Sequence, residues 1–204
     1  MSHGLCYLAI MMLRRIVALF LLGLLAACGP TGVRWHATNI TGALPALDFS
    51  LMRANDGAAV TANDYRGKIV VLYFGYTNCP DICPATLANL SDVLQKIGPR
   101  ANDVRILFVT VDPKRDTESV LKDYVHAFAP QTDGLRGTDD QVATLARRYR
   151  VIYSVTPTSP GHAYEVMHSG ALFFFDRNGR ARLVTTKSDN IAELTEDLKH
   201  LLDV

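Results

Sequence analysis

Cysteine is scarce in this chain, tryptophan nearly absent and net charge close to zero. The 204 residues include 4 cysteines and 1 tryptophan, and 21 Lys and Arg offset 20 Asp and Glu for a formal charge of +1. A balance this even leaves no electrostatic case for nucleic acid as a partner. No internal repeat or low-complexity block is visible. No apolar run reaches the ~20 residues that a membrane-spanning helix needs. The first 27 residues contain no acidic side chain at all.

That acid-free start is informative. Arg14 and Arg15 precede an apolar run from Ile16 to Leu25, and small residues follow at Ala26 and Ala27. A basic start, a short apolar core and small residues before a cleavage point make a secretory signal. Leu25-Ala26-Ala27-Cys28 resembles the bacterial lipoprotein box, in which the cysteine is lipidated and becomes the first mature residue. The expected organisation is a signal peptide over 1–27, a lipid-anchored tether over 28–42 and one domain over 43–204. Cys6 then leaves with the signal and Cys28 becomes a thioether. The expected location is the periplasmic face of a bacterial cell envelope, tethered to the inner membrane, where disulfides are permitted. Cys79 and Cys83 remain as the free thiols.

Apolar runs and helical patterns alternate after about residue 68. Ile69 to Phe74 reads as a buried strand, as do Val104 to Val111 and Ala171 to Phe175. Leu87, Leu90, Leu94 and Ile97 recur at helical spacing between Pro84 and the Gly98-Pro99 stop. Asp116 reads as the N-cap of a helix from Thr117 to Phe128. A third helix is expected over Thr138–Tyr149 and a last one over Asn190–Leu202. Asp176 to Arg180 reads as a hairpin turn into a returning strand, Ala181 to Thr185. Asn55-Asp56-Gly57 signals a short hairpin in front of the domain. With right-handed crossovers between parallel strands, this order predicts an α/β, thioredoxin-like fold: a central mixed sheet flanked by helices, with an N-terminal hairpin extension.

Cys79 and Cys83 fall where the first buried strand gives way to a helix. Unpaired N–H groups and the dipole at a helix start stabilise a thiolate there, which lowers its pKa. Pro80 and Pro84 stiffen the turn. A thiol pair in this setting either cycles between dithiol and disulfide or holds a soft metal ion. The spacing has one residue more than the common redox Cys-x-x-Cys, and two thiolates favour copper(I) or zinc. A structural disulfide explains the pair less well, because so short a loop gains little from closure. A third ligand is needed. His168 precedes the strand Ala171–Phe175, and in a thioredoxin-like layout the loop before that strand packs against the cysteine turn. His162, in the stretch after Thr156, is the reserve. Met167 is expected to pack, because adjacent residues of extended chain face opposite ways. Asp81 is expected to tune the thiols without ligating.

Three segments resemble the Sco/SenC family of copper-binding proteins. They are Phe74-Gly75-Tyr76-Thr77-Asn78-Cys79-Pro80-Asp81-Ile82-Cys83-Pro84, then Val111-Asp112-Pro113-Lys114-Arg115-Asp116-Thr117, then His168 before a strand. The similarity runs from about Leu47 to Leu202. It implies copper ligation by Cys79, Cys83 and His168, and a role in assembling the binuclear copper centre of cytochrome c oxidase. The implied partners are the copper-bearing oxidase subunit and another periplasmic copper chaperone or thiol reductant. Many relatives carry an acidic residue where this chain has Met167. Asp112 to Thr117 is adequately explained as a strand exit, a proline turn and a helix cap. The alternative function is a membrane-tethered thiol–disulfide reductase with Cys79 and Cys83 as its redox pair, keeping a partner's copper-ligand cysteines reduced. A peroxidase reading lacks an activating arginine or glutamine near Cys79.

Overall fold

A computed structural model describes residues 33–156 and 164–204. Cys6, Cys28, the signal segment and His162 lie outside the described residues. The first two central strands are β4 (Ile69–Gly75) and β5 (Val104–Thr110). Their β-branched and aromatic residues pair in parallel register, Ile69 with Val104 through Gly75 with Thr110. Around them the sheet takes the order β1-β10-β9-β4-β5-β6-β2-β3. Here β1 is Thr38–Asn39, β2 Ser50–Arg53, β3 Ala58–Thr61 and β6 Thr132–Arg136. The far side is β9 (Leu172–Phe175) and β10 (Ala181–Thr185). The β4–β5 and β5–β6 pairings are parallel and the others antiparallel, so the sheet is mixed.

Because strand side chains alternate between faces, these strands feed two cores. Val71, Tyr73, Ile106, Phe108, Leu172 and Phe174 face α1 (Ile82–Ile97), α2 (Glu118–His126) and α4 (Ile191–Leu202). Val70, Leu72, Phe74, Leu107, Val109, Phe173 and Phe175 face α3 (Asp139–Arg148) and the residues around Phe49 and Tyr65. Both faces are covered, as continuous apolar strands require. The helix α1 ends at Gly98, whose φ of +71° suits a residue without a Cβ. The expected hairpins form: β2 with β3 across Ala54–Gly57, and β9 with β10 across Asp176–Arg180.

Four expectations need correction. Residues 28–42 are not all tether. Thr38 and Asn39 pair with Val184 and Leu183, and the carboxylate of Asp197 accepts the backbone N–H groups of His36 and Ala37 at 2.9 and 2.8 Å. Without periodicity in so short a segment, only these tertiary bonds reveal its place. Second, β6 was not expected, because Asp133 and Gly134 are poor strand residues. Gly134 is required there because a Cβ would meet the Leu121 side chain of α2 at 2.7 Å. Third, β7 (Tyr153–Thr156) and β8 (Glu165–His168) form a separate two-stranded ribbon. Fourth, Asp116 does not cap α2. Thr117 does, its side chain accepting from the Val120 N–H.

Candidate metal centre

The helix α1 begins at Ile82, two residues before the expected Pro84, so Cys83 sits in its first turn and Cys79 just outside it. A proline in the first turn removes no helical bond. The Cys83 N–H, one of the unpaired donors at a helix start, donates to the sulfur of Cys79 at 3.4 Å. The Cys79 N–H closes a turn onto the Tyr76 carbonyl at 3.2 Å. Both sulfurs therefore gather at one end of the helix.

Gly75 makes the space. A Cβ there would lie 2.5 Å from the Phe108 ring and 2.8 Å from the Cys83 sulfur. Cys83 is fully buried and Cys79 partly exposed. Burial pushes the Cys83 thiol up to about 12, against the lowering expected from the helix start. Desolvation of the charged form outweighs the helix-end field here.

His168 is the last residue of β8, not part of a loop. Its Nε2 lies 3.1 Å from the Cys83 sulfur. Its Nδ1 lies 3.0 Å from the Ser169 carbonyl oxygen, which only accepts. The proton is therefore assigned to Nδ1, and the Nε2 lone pair faces the sulfurs. Burial lowers the imidazole's pKa below its ordinary value, which keeps that lone pair free. The rings of Tyr73 and Tyr76 flank it edge-on, with centroids at 6.0 and 5.8 Å. Tyr73 contributes a buried hydroxyl that has no hydrogen-bond partner among the described residues.

The donor atoms of Cys79, Cys83 and His168 all lie within 4.8 Å of one another. Two sulfurs and a neutral imidazole nitrogen form a soft set suited to copper(I) or zinc. Contrary to expectation, Met167 does not pack: it is 69% exposed, on the opposite face of the ribbon from His168. Asp81 is exposed and makes no cap hydrogen bond.

A thioredoxin-like α/β fold with a two-thiol, one-imidazole site at the end of its central strand defines the class. A family model described as SCO1/SenC matches residues 39–203. The mitochondrial SCO2 homolog of Bos taurus is 37% identical over 154 residues, covering 74% of this chain and 58% of that protein. ScoI of Bradyrhizobium japonicum, solved with copper bound, is 35% identical with a TM-score of 0.69, over 76% of this chain and 98% of that one. Apo Sco1 of Thermus thermophilus is 31% identical with a TM-score of 0.72, over 85% and 99%. The chain belongs to the SCO1/SenC family. Its matched region spans about three-fifths of the length of the mammalian SCO2 homologs, 58% and 60%.

Proposed function

We propose that this chain carries copper on Cys79, Cys83 and His168 and delivers it to the copper-bearing subunit of cytochrome c oxidase. The observation that carries this reading is the third donor. An imidazole beside one thiol can also activate it. Here, however, its lone pair lies 3.1 Å from the Cys83 sulfur and completes a set of three soft donors within 4.8 Å of one another, an arrangement that a metal ion uses in full and a dithiol reductant does not require. The copper-bound state of the Bradyrhizobium relative supports it. Copper here is cargo. Its binding displaces the thiol protons, since the ligand is the thiolate. The buried Cys83, ordinarily protonated, gives one up only when a metal offers compensating charge. The partly exposed Cys79 is where a partner's ligand reaches the ion first.

Lipidation of Cys28, anchoring the domain at the periplasmic face of the inner membrane, belongs to the same proposal. It rests on the sequence Leu25-Ala26-Ala27-Cys28.

The test is copper titration of the reduced protein against a competing chelator. Wild type is expected to take one ion, and Cys79→Ser or Cys83→Ser to lose tight copper(I) binding. His168→Ala is expected to weaken copper(II) more than copper(I), since imidazole favours the former. Wild-type protein that takes no copper but reduces a partner's disulfide would establish the reductase instead.

A further inference from the structure

The turn between β5 and α2 reaches both halves of the metal centre. Asp116 is completely buried, and its carboxylate is held by partners outside α2. It accepts from the Thr77 N–H at 3.0 Å, the Thr77 hydroxyl at 2.6 Å and the Thr110 hydroxyl at 2.5 Å. Thr77 lies two residues before Cys79, in the loop that carries the thiols.

Asp112, four residues earlier and also buried, turns the other way. Its carboxylate accepts from the Tyr164 hydroxyl and from Arg115. Arg115 donates to the Tyr164 carbonyl at 3.3 Å and stacks over the Tyr164 ring at 4.1 Å. Tyr164 immediately precedes β8, and His168 is the far end of that strand. The same guanidinium lies 5.8 Å from the Tyr76 ring, which itself flanks His168. The turn is in turn held by Arg136, which donates to the carbonyls of Asp116 and Pro113 at 3.0 and 2.9 Å.

We propose that Asp112–Asp116 is a positioning clamp: Asp116 fixes the thiol loop, Asp112 with Arg115 fixes the histidine ribbon, and together they set the sulfur-to-imidazole distance. A helix cap and a proline turn require neither carboxylate to be buried against these two partners. Among the described residues, the ribbon β7–β8 pairs with no strand of the main sheet. The contacts of Tyr164, together with the burial of Val166 in the core, tie the start of β8 to the body of the fold. None of these residues is a ligand. They act through Thr77 and Tyr164 as outer-shell groups, whose loss ordinarily weakens metal binding by about 10- to 100-fold.

This inference rests on the copper reading for one readout and is independent of it for another. Two mild variants cut one arm each: Thr77→Val removes only a hydroxyl from Asp116, and Tyr164→Phe removes only the hydroxyl from Asp112. Tyr149→Phe is the control, since the Tyr149 hydroxyl bonds the Ala46 carbonyl far from the centre. The first readout is copper affinity and the thiolate-to-copper(II) absorption band. Tyr164→Phe should weaken copper(II) about 10- to 100-fold and shift the band, with a smaller effect on copper(I). Thr77→Val should weaken both ions. The second readout needs no metal: the ring-nitrogen NMR shifts of His168 in the reduced apo protein, which report what Nε2 faces. Tyr164→Phe should move them and Tyr149→Phe should not. Unchanged affinity, band and ring shifts in both arm variants would overturn the clamp. So would equal changes in the control, which would show a general loss of stability. If wild type takes no copper, the copper reading fails and the ring shifts alone decide the clamp.

Discussion

Gly75 has no side chain because two neighbours already occupy the place of one. A methyl group there meets the Phe108 ring and the Cys83 sulfur inside contact distance. Gly75→Ala is expected to destabilise the fold by about 1–3 kcal/mol, the ordinary range for overpacking. Either the ring or the sulfur must move, so copper affinity should fall with stability. Urea unfolding and chelator competition on the same variant check both. An unaltered unfolding midpoint would mean that the sulfur is not confined as described. The protonation of Cys83 makes a second residue-scale prediction. Its thiol, raised to about 12, is neutral near pH 7, so metal uptake must release its proton. Apparent copper affinity should therefore rise with pH across the neutral range. Proton release can be counted directly by titrating copper into weakly buffered protein with a pH indicator.

Among the elements, β1 and α4 carry the clearest electrostatic argument. Asp197 is buried, and it holds the two backbone donors that dock the segment before β1. Asp197→Ala leaves those donors without their charged acceptor and is expected to cost about 1–3 kcal/mol. Hydrogen exchange at His36 and Ala37 should then rise well ahead of the β4 and β5 amides. Beside it, the hydrogen bond with Glu196 raises the pKa of His36 above 6.5. A group raised in the folded state contributes its full stabilisation below its unfolded value and loses it as pH rises through the folded value. Wild type should exceed His36→Gln in stability more at pH 5.5 than at pH 8.5, by a margin that shrinks in high salt because the pair is exposed.

The elements also show how much of the fold and site the sequence exposed. Strands β4, β5 and β9 were legible because burial on both faces demands unbroken apolar runs. So were α1 and α4, from leucines at helical spacing. Short or polar elements were not. β6 contains Asp133 and Gly134, and what holds it is pairing with β5 and the approach of Leu121, both remote in sequence. At the centre, Cys79 and Cys83 were legible from spacing between prolines, and His168 from its place before β9. The clamp was hidden because Asp116, one residue before the true cap Thr117, is itself a residue type that caps helices. Only its distance to Thr77 reveals the other use. The raised Cys83 thiol was equally hidden, since spacing locates a helix start but not the depth of its first turn.

At the scale of the whole molecule, the proposed lipidation of Cys28 and the redox state of the thiol pair each set an expected outcome. An acylated Cys28 is expected at the mature N-terminus, with Cys28→Ser blocking processing or releasing the protein from membranes. Mass spectrometry of the membrane-extracted protein reads this directly, and an intact signal segment would contradict it. In an oxidising compartment Cys79 and Cys83 lie close enough to form a disulfide, and a disulfide offers no thiolate to a metal. Oxidation should therefore eject copper. Copper(I) bound to the reduced protein should raise its melting temperature, as any ligand specific to the folded state does. Equal melting of reduced protein with and without copper(I) would oppose this.

The central claim is that two sulfurs and one imidazole nitrogen hold the ion. X-ray absorption at the copper edge of reduced, copper(I)-loaded protein tests it most directly. The expected coordination is two sulfurs and one nitrogen, with the nitrogen lost in His168→Ala and a sulfur lost in Cys83→Ser. A shell without sulfur, or one that neither substitution alters, would contradict it.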